Sequence, residues 1–118
     1  NNASSNLVHN LKIYFSDNEY RVKCKTDSGC NVKEPFSGSS VIIIDKNSID
    51  IPELSPRYIP FNSLGGNGML KGYKADEVFI DDKKIDEEVY IGICEDIFKS
   101  EIKGLIPVNL LEDWYNEA

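Results

Sequence analysis

The 118-residue chain has little of the side-chain chemistry that most often marks a function: one histidine, three cysteines, one methionine and one tryptophan. The lone histidine, His9, falls in a polar N-terminal stretch read as tail, so Cys24, Cys30 and Cys94 lack the imidazole that a Cys-His hydrolase needs. Three cysteines with no Cys-x-x-Cys pair signal neither a disulfide framework nor a zinc site, and reduced thiols in a cytosolic setting fit them best. Basic charge is also scarce. Thirteen Lys and Arg against twenty Asp and Glu give a formal charge of −7, which repels a phosphate backbone and argues against nucleic acid as a partner. Long apolar runs are missing too: none approaches the roughly 18 residues of a membrane-spanning helix, and the start lacks a signal-peptide pattern, so the chain as given is expected to be soluble. The acidic residues Asp81, Asp82, Asp86, Glu87 and Glu88 lack the alternating ligands and turn glycine of a calcium loop and read as a solvated hairpin. No metal or cofactor is expected.

What is present is strand-forming. The 41% hydrophobic content is modest, but Val41-Ile42-Ile43-Ile44 and Val89-Tyr90-Ile91-Gly92-Ile93 are dense in β-branched residues. The chain is long enough for one domain, assigned to residues 11–118, behind a flexible tail or linker over 1–10 that has no initiating methionine and reads as a cut from a longer protein. Leu11, Ile13 and Phe15 alternate with polar residues, as do Tyr20, Val22 and Cys24 against Arg21, Lys23 and Lys25, with a hairpin turn at Asp17-Asn18. A loop over 26–40 precedes a buried strand at 41–44. Pro52, Pro56 and Pro60 make 50–60 mostly connector. Residues 59–70 read as strand, glycine-rich tip and strand, since Gly65-Gly66-Asn67-Gly68 offers the positive φ angles of a tight hairpin. Strands at 78–80 and 89–93 follow, joined by a turn at 81–84. Leu110, Leu111, Trp114 and Tyr115 then recur at helical spacing beyond Pro107, which predicts a short amphipathic closing helix. Short strands at this frequency predict an all-β small barrel or sandwich.

Asp27-Ser28-Gly29 is the one triplet that could carry hydrolytic chemistry. Alone it is a common turn sequence, and a solvated turn carboxylate explains it. Its context is more specific. It follows a strand, and it precedes a glycine-rich hairpin and the apolar-Gly-apolar strand Ile91-Gly92-Ile93. The hairpin by itself is also explained as an ordinary surface turn, and the strand as a buried one whose glycine marks close backbone approach.

The order of these parts resembles the retropepsin-like half of a pepsin-type aspartic protease. Asp27-Ser28-Gly29-Cys30-Asn31, Glu34-Pro35, the run from Arg57 through Pro60 to Gly66, and Tyr73-Lys74-Ala75-Asp76-Glu77-Val78 together are similar to the sporulation sigma-E factor processing peptidases of endospore-forming bacteria, in their C-terminal protease domain. The resemblance spans about residues 11–111. It implies a small closed retropepsin-like barrel with a short C-terminal helix, forming one half of an active enzyme. It also implies a membrane-embedded N-terminal part outside this sequence, a place at the cytoplasmic face of the septal membrane in a spore-forming bacterium, and a sigma factor precursor as protein substrate, with an activating signal protein as a further partner. The sequence departs from the pattern in four places, one of them Lys25-Thr26, more polar than the apolar pair that often precedes the motif. Serine stands where threonine is commoner, Cys30 where small residues are usual, and Cys94 where retroviral enzymes carry an arginine.

The chemistry implies two chains. Attack of water on a peptide carbonyl needs one group to accept a proton and another to donate one, and two facing carboxylates sharing a proton supply both. One Asp27 is half of that set, so a homodimer is implied, with Ser28 and Gly29 bracing the paired loops. Leu64, Gly65, Gly66, Asn67 and Gly68 become a substrate-covering flap, and Ile91, Gly92 and Ile93 a supporting strand. The rival reading is a catalytically inactive retropepsin-like module for peptide binding or dimerisation, gripping an extended segment by strand pairing. Arg57 either pairs with a carboxylate near the site or caps the surface.

Overall fold

The computed structural model describes residues 8–51, 54–63 and 66–112. Its nine strands are β1 (Val8–Phe15), β2 (Asn18–Asp27), β3 (Ser40–Asp45), β4 (Arg57–Ser63), β5 (Gly66–Lys74), β6 (Glu77–Ile80), β7 (Lys83–Lys84), β8 (Val89–Cys94) and β9 (Gly104–Pro107). They form one sheet in the order β4-β5-β8-β3-β9-β2-β1-β6-β7. The all-β expectation holds.

The alternating segments become the strands whose two faces differ. In β1, His9, Leu11, Ile13 and Phe15 are buried, and in β2 Val22, Cys24 and Thr26 are buried while Arg21, Lys23 and Lys25 are exposed. The two pair antiparallel from Phe15↔Asn18 outward, through a two-residue turn in which Ser16 takes a positive φ of 54°. The β6–β7 turn uses the same device twice, at Asp81 (φ 50°) and Asp82 (φ 67°). Here aspartates substitute for the usual glycines because their short polar side chains tolerate the left-handed region.

β3 behaves differently because all six of its residues are buried. A strand apolar on both faces needs cover on both, and β3 lies between β8, with which it runs parallel, and β9, with which it runs antiparallel. Ile42 and Ile44 enter the larger core with Leu11, Ile13, Phe15, Ile91 and Ile106, while Val41 and Ile43 enter a second cluster with Ile59, Leu70 and Tyr90. Each fully buried isoleucine contributes about 1.5–3 kcal/mol relative to exposure, so β3 anchors both sides of the sheet.

Three expectations are corrected, and the closing helix, of which only the helical Glu112 is described, lies almost wholly outside the described residues. The pairings among the described residues do not close a barrel: they run from β4 at one edge to β7 at the other. Neither edge invites closure, since β4 carries the exposed Pro60, which has no backbone donor, and β7 is two exposed lysines long. That edge position also explains why Pro60 sits within a strand that begins at Arg57 instead of in a connector. At the other end Pro107 finishes β9, and a 3-10 turn at Val108–Leu111 places Leu110 and Leu111 in the core; Trp114 and Tyr115 lie outside the described residues. Finally, His9 and Asn10 belong to β1 and not to a tail. His9 is 5% exposed, its Nδ1 stands 2.6 Å from Asp81 Oδ2, and Asp81 Oδ1 accepts the Asn10 N–H.

Candidate active site

Asp27 is the last residue of β2, where the strand leaves its ladder. Its neighbour in register is Pro107, because β9 is inserted between β2 and β3, parallel to the first and antiparallel to the second. The chain therefore leaves Asp27, travels through the loop and most of the sheet, and returns to seal the gap beside it. β2 and β3 are consecutive in sequence yet do not pair with each other among the described residues.

The turn after Asp27 is held by its own side chain. The Asp27 carbonyl accepts the Cys30 N–H at 3.0 Å, and Asp27 Oδ1 accepts the Gly29 N–H at 2.9 Å. This is the aspartate-centred turn expected of Asp-Ser-Gly, and it fixes the carboxylate at the strand end. A β-carbon on Gly29 would stand 3.3 Å from Asp27 Oδ1, a tight contact that would press on the carboxylate. Ser28 and Gly29 are exposed, whereas Cys30 is buried. Burial pushes the Cys30 thiol above its ordinary pKa, and the Asp27 charge pushes in the same direction, so it is poorly suited to act as a nucleophile.

A cavity of about 630 Å³ opens over this loop. Asp27, Gly29, Cys30 and Val32 line one side, Phe61 and Asn62 of β4 line another, and Ile97, Phe98, Ile102 and Leu105 contribute much of the rest, together with the polar Lys25, Lys99 and Ser100. The structure thus brings the Asp27 loop and the hairpin strand to one concavity, with a mainly apolar lining and two lysines, Lys25 and Lys99, around a single candidate carboxylate. A second cavity of about 700 Å³ lies against β5, lined by Asn67, Gly68, Met69 and Tyr73 together with Ile49, Ile51 and Ile93. Phe61 and Ile97 line both.

The predicted hairpin exists: β4 and β5 pair antiparallel from Arg57↔Gly72 to Ser63↔Gly66. Asn67 and Gly68 are exposed on β5, which begins at Gly66, while Leu64 and Gly65 lie outside the described residues. Ile91, Gly92 and Ile93 stand on β8, which pairs with β3 and β5 and not with β2. The strand directly beside Asp27 is β9, which sequence periodicity did not reveal. Its only signal was Leu105-Ile106 between Gly104 and Pro107, a run too short to separate from a loop. Phe61, Phe98 and Leu105, which shape the cavity, were likewise not identifiable from spacing.

Among the described residues no three His, Cys, Asp or Glu side chains converge to hold a metal, and no helix is long and apolar enough to cross a membrane.

Comparison with known proteins gives the family. The model of the Peptidase_U4 family, described as sporulation factor SpoIIGA, matches residues 1–103. The chain belongs to this family. It is also 27% identical over 89 residues, 68% of its length, to a probable sporulation sigma-E factor-processing peptidase of Clostridium acetobutylicum. The match covers 32% of that relative, so this chain spans about a third of its length.

Proposed function

We propose that this chain is the protease domain of an aspartic endopeptidase that activates a sporulation sigma factor by removing its pro-sequence, and that it works as a homodimer with one Asp27 from each subunit. The observation that carries the reading is the junction of β2, β9 and the cavity, with a half-buried aspartate at a strand end facing the same concavity as a hairpin strand. Family membership and the relative's name supply the substrate class.

In this reading the two carboxylates share one proton. The ionised one takes a proton from water, whose oxygen attacks the peptide carbonyl carbon, while the protonated one donates to the carbonyl oxygen. The tetrahedral intermediate then collapses: the protonated carboxyl of the dyad donates to the amide nitrogen, the C–N bond breaks and the amine leaves, while a hydroxyl of the intermediate gives its proton to the ionised carboxylate, so the dyad stays singly protonated. Like charges held this close cannot both ionise, so the dyad titrates as a pair. Ser28 and Gly29 brace the facing loops, and the β4–β5 hairpin, with Leu64, Gly65, Gly66, Asn67 and Gly68 assigned to it, serves as the flap that covers an extended peptide and excludes water. Ile91, Gly92 and Ile93 support the hairpin through β5, with which β8 pairs. The longer protein places this domain at the cytoplasmic face of the septal membrane through a part outside this sequence, and a signal protein drives pairing of the protease halves.

The test is cleavage of the sigma factor precursor by the full-length parent protein, natural or Asp27→Asn. The substitution keeps shape and removes the ionisable group, so processing should disappear. Processing at the natural rate in the Asn variant would instead favour the inactive peptide-binding module.

A further inference from the structure

Glu34 follows Asp27 by seven residues and is the most enclosed charged side chain of the loop, with a side-chain exposure of 0%. Its Oε1 accepts both the N–H and the hydroxyl of Ser37 at 2.7 Å. The backbone repeats the closure, with Glu34 N–H bonded to Ser39 C=O and Gly38 N–H to Glu34 C=O. Loop 33–40 is therefore a compact unit nucleated by one buried carboxylate. The other oxygen, Oε2, has no hydrogen-bond partner and faces the Arg57 guanidinium, with Nη1 at 3.7 Å. Arg57 is the first residue of β4, and its guanidinium also lies 5.7 Å from the centre of the Phe36 ring in the same loop.

The second leg of the hairpin is gripped by the same loop. Ser39 Oγ donates to Glu88 Oε2 at 2.7 Å, and Glu88 Oε1 pairs with Lys74 Nζ at 3.2 Å, at the end of β5. Both strands of the hairpin thus meet the segment that leads out of the Asp27 turn, one through Glu34 and Arg57 and the other through Ser39, Glu88 and Lys74. A buried carboxylate oxygen left without a hydrogen bond is unfavourable unless a cation faces it, which makes the Arg57 contact the stronger candidate for a specific role.

We infer that Glu34 and Arg57 are positioning residues, tethering the base of the β4–β5 hairpin to the catalytic loop so that Phe61 and Asn62 of β4 are held in place against the cavity they share with Asp27. The inference rests on the aspartic-protease reading of the site. Small displacements of a positioning element are felt strongly in catalysis, so Arg57→Ala in the full-length protein is expected to slow precursor cleavage about tenfold. Arg57→Lys should recover part of that loss, because it restores charge without the planar fork. Glu34→Gln combined with Arg57→Ala should be no worse than the poorer single variant.

The second readout is amide hydrogen exchange of the same variants, which does not depend on activity. Arg57→Ala should raise exchange in residues 57–74 while β1, β2 and β6 keep their protection. Unchanged exchange in the hairpin would overturn the tether, as would a rise throughout the sheet, which marks general destabilisation. Faster hairpin exchange with cleavage at the natural rate would overturn the positioning role. Asp27→Asn is run in parallel: if that variant still cleaves, the protease reading fails, while the exchange data still decide whether the tether exists.

Discussion

Cys24 of β2 and Gly104 of β9 lie in register, and a β-carbon on Gly104 would stand 2.4 Å from Cys24 Sγ, 2.7 Å from Ile44 Cδ1 and 3.2 Å from the Ile43 carbonyl oxygen. The insertion of β9 between β2 and β3 thus depends on an absent side chain. Crowding from both neighbouring strands leaves the backbone no direction in which to retreat.

Gly104→Ala should therefore destabilise the fold by about 2–3 kcal/mol, the range for overpacking a closed site. Gly92→Ala should be milder. A β-carbon there meets only side-chain methyls, Val41 Cγ1 at 3.0 Å and Leu70 Cδ1 at 3.1 Å, which can give way. Denaturant unfolding of both variants checks the ranking, and equal losses would contradict a tight β9 insertion.

The two replacements of Asp27 should separate structure from chemistry. Asn keeps an oxygen able to accept the Gly29 N–H, so thermal stability should match the natural chain. Ala leaves that donor without its partner and should lower stability by about 1 kcal/mol. Calorimetry on the two variants measures this directly, and equal melting would mean that the Asp27 side chain does not hold its turn.

These contrasts show which parts of the molecule the amino-acid pattern could reveal. β1, β2 and the existence of the hairpins were legible because alternation and turn residues act over a few neighbours, although the first turn falls at Ser16-Asp17, Lys83-Lys84 form β7 and Gly66-Asn67-Gly68 are strand residues of β5; β3 was legible because four consecutive β-branched residues need burial on both faces. Asp27 was legible as a turn residue. β9 was not, for its four residues have no periodicity and gain their meaning from β2 and β3, which lie about 80 and 60 residues earlier. Gly92 stood out in sequence because it interrupts an apolar strand, whereas Gly104, the more constrained glycine, looked like part of a loop. His9 was read as tail because its partner, Asp81, is 72 residues away.

All three cysteines are free and buried. Burial pushes the Cys24 thiol far up, and it raises Cys30 and Cys94 as well. In the native chain at pH 8 each should react with iodoacetamide well below the rate of an exposed thiol, because both access and thiolate population are reduced. In denaturant all three should label at the ordinary rate. Mass spectrometry over a time course distinguishes the sites, and rapid native labelling of Cys30 would show that the cavity beside Asp27 admits solvent more freely than its burial implies.

Acid sensitivity supplies a separate handle on Glu34. Burial alone pushes its carboxyl up, but the Ser37 hydroxyl, the Ser37 and Phe36 backbone and the Arg57 charge together outweigh it and hold the group below its usual 4.5. A carboxyl whose folded pKa is depressed stabilises the fold above the unfolded value and loses that contribution as pH falls through the folded one. Natural chain and Glu34→Gln should then differ most in stability near pH 7, and the gap should narrow below about pH 4.5 as the carboxylate protonates. Glu19 and Glu88 are also lowered, by bonds from Tyr14 and Arg21 and from Ser39 and Lys74, and contribute in the same direction. Because both variants retain those groups, the difference between the two curves is set mainly by Glu34, with a smaller part from Glu88, whose carboxyl the Glu34 charge raises. Urea unfolding at pH 7, 5, 4 and 3 measures it. A gap that stays constant across the series would mean that the ionised form of Glu34 is not what the loop binds.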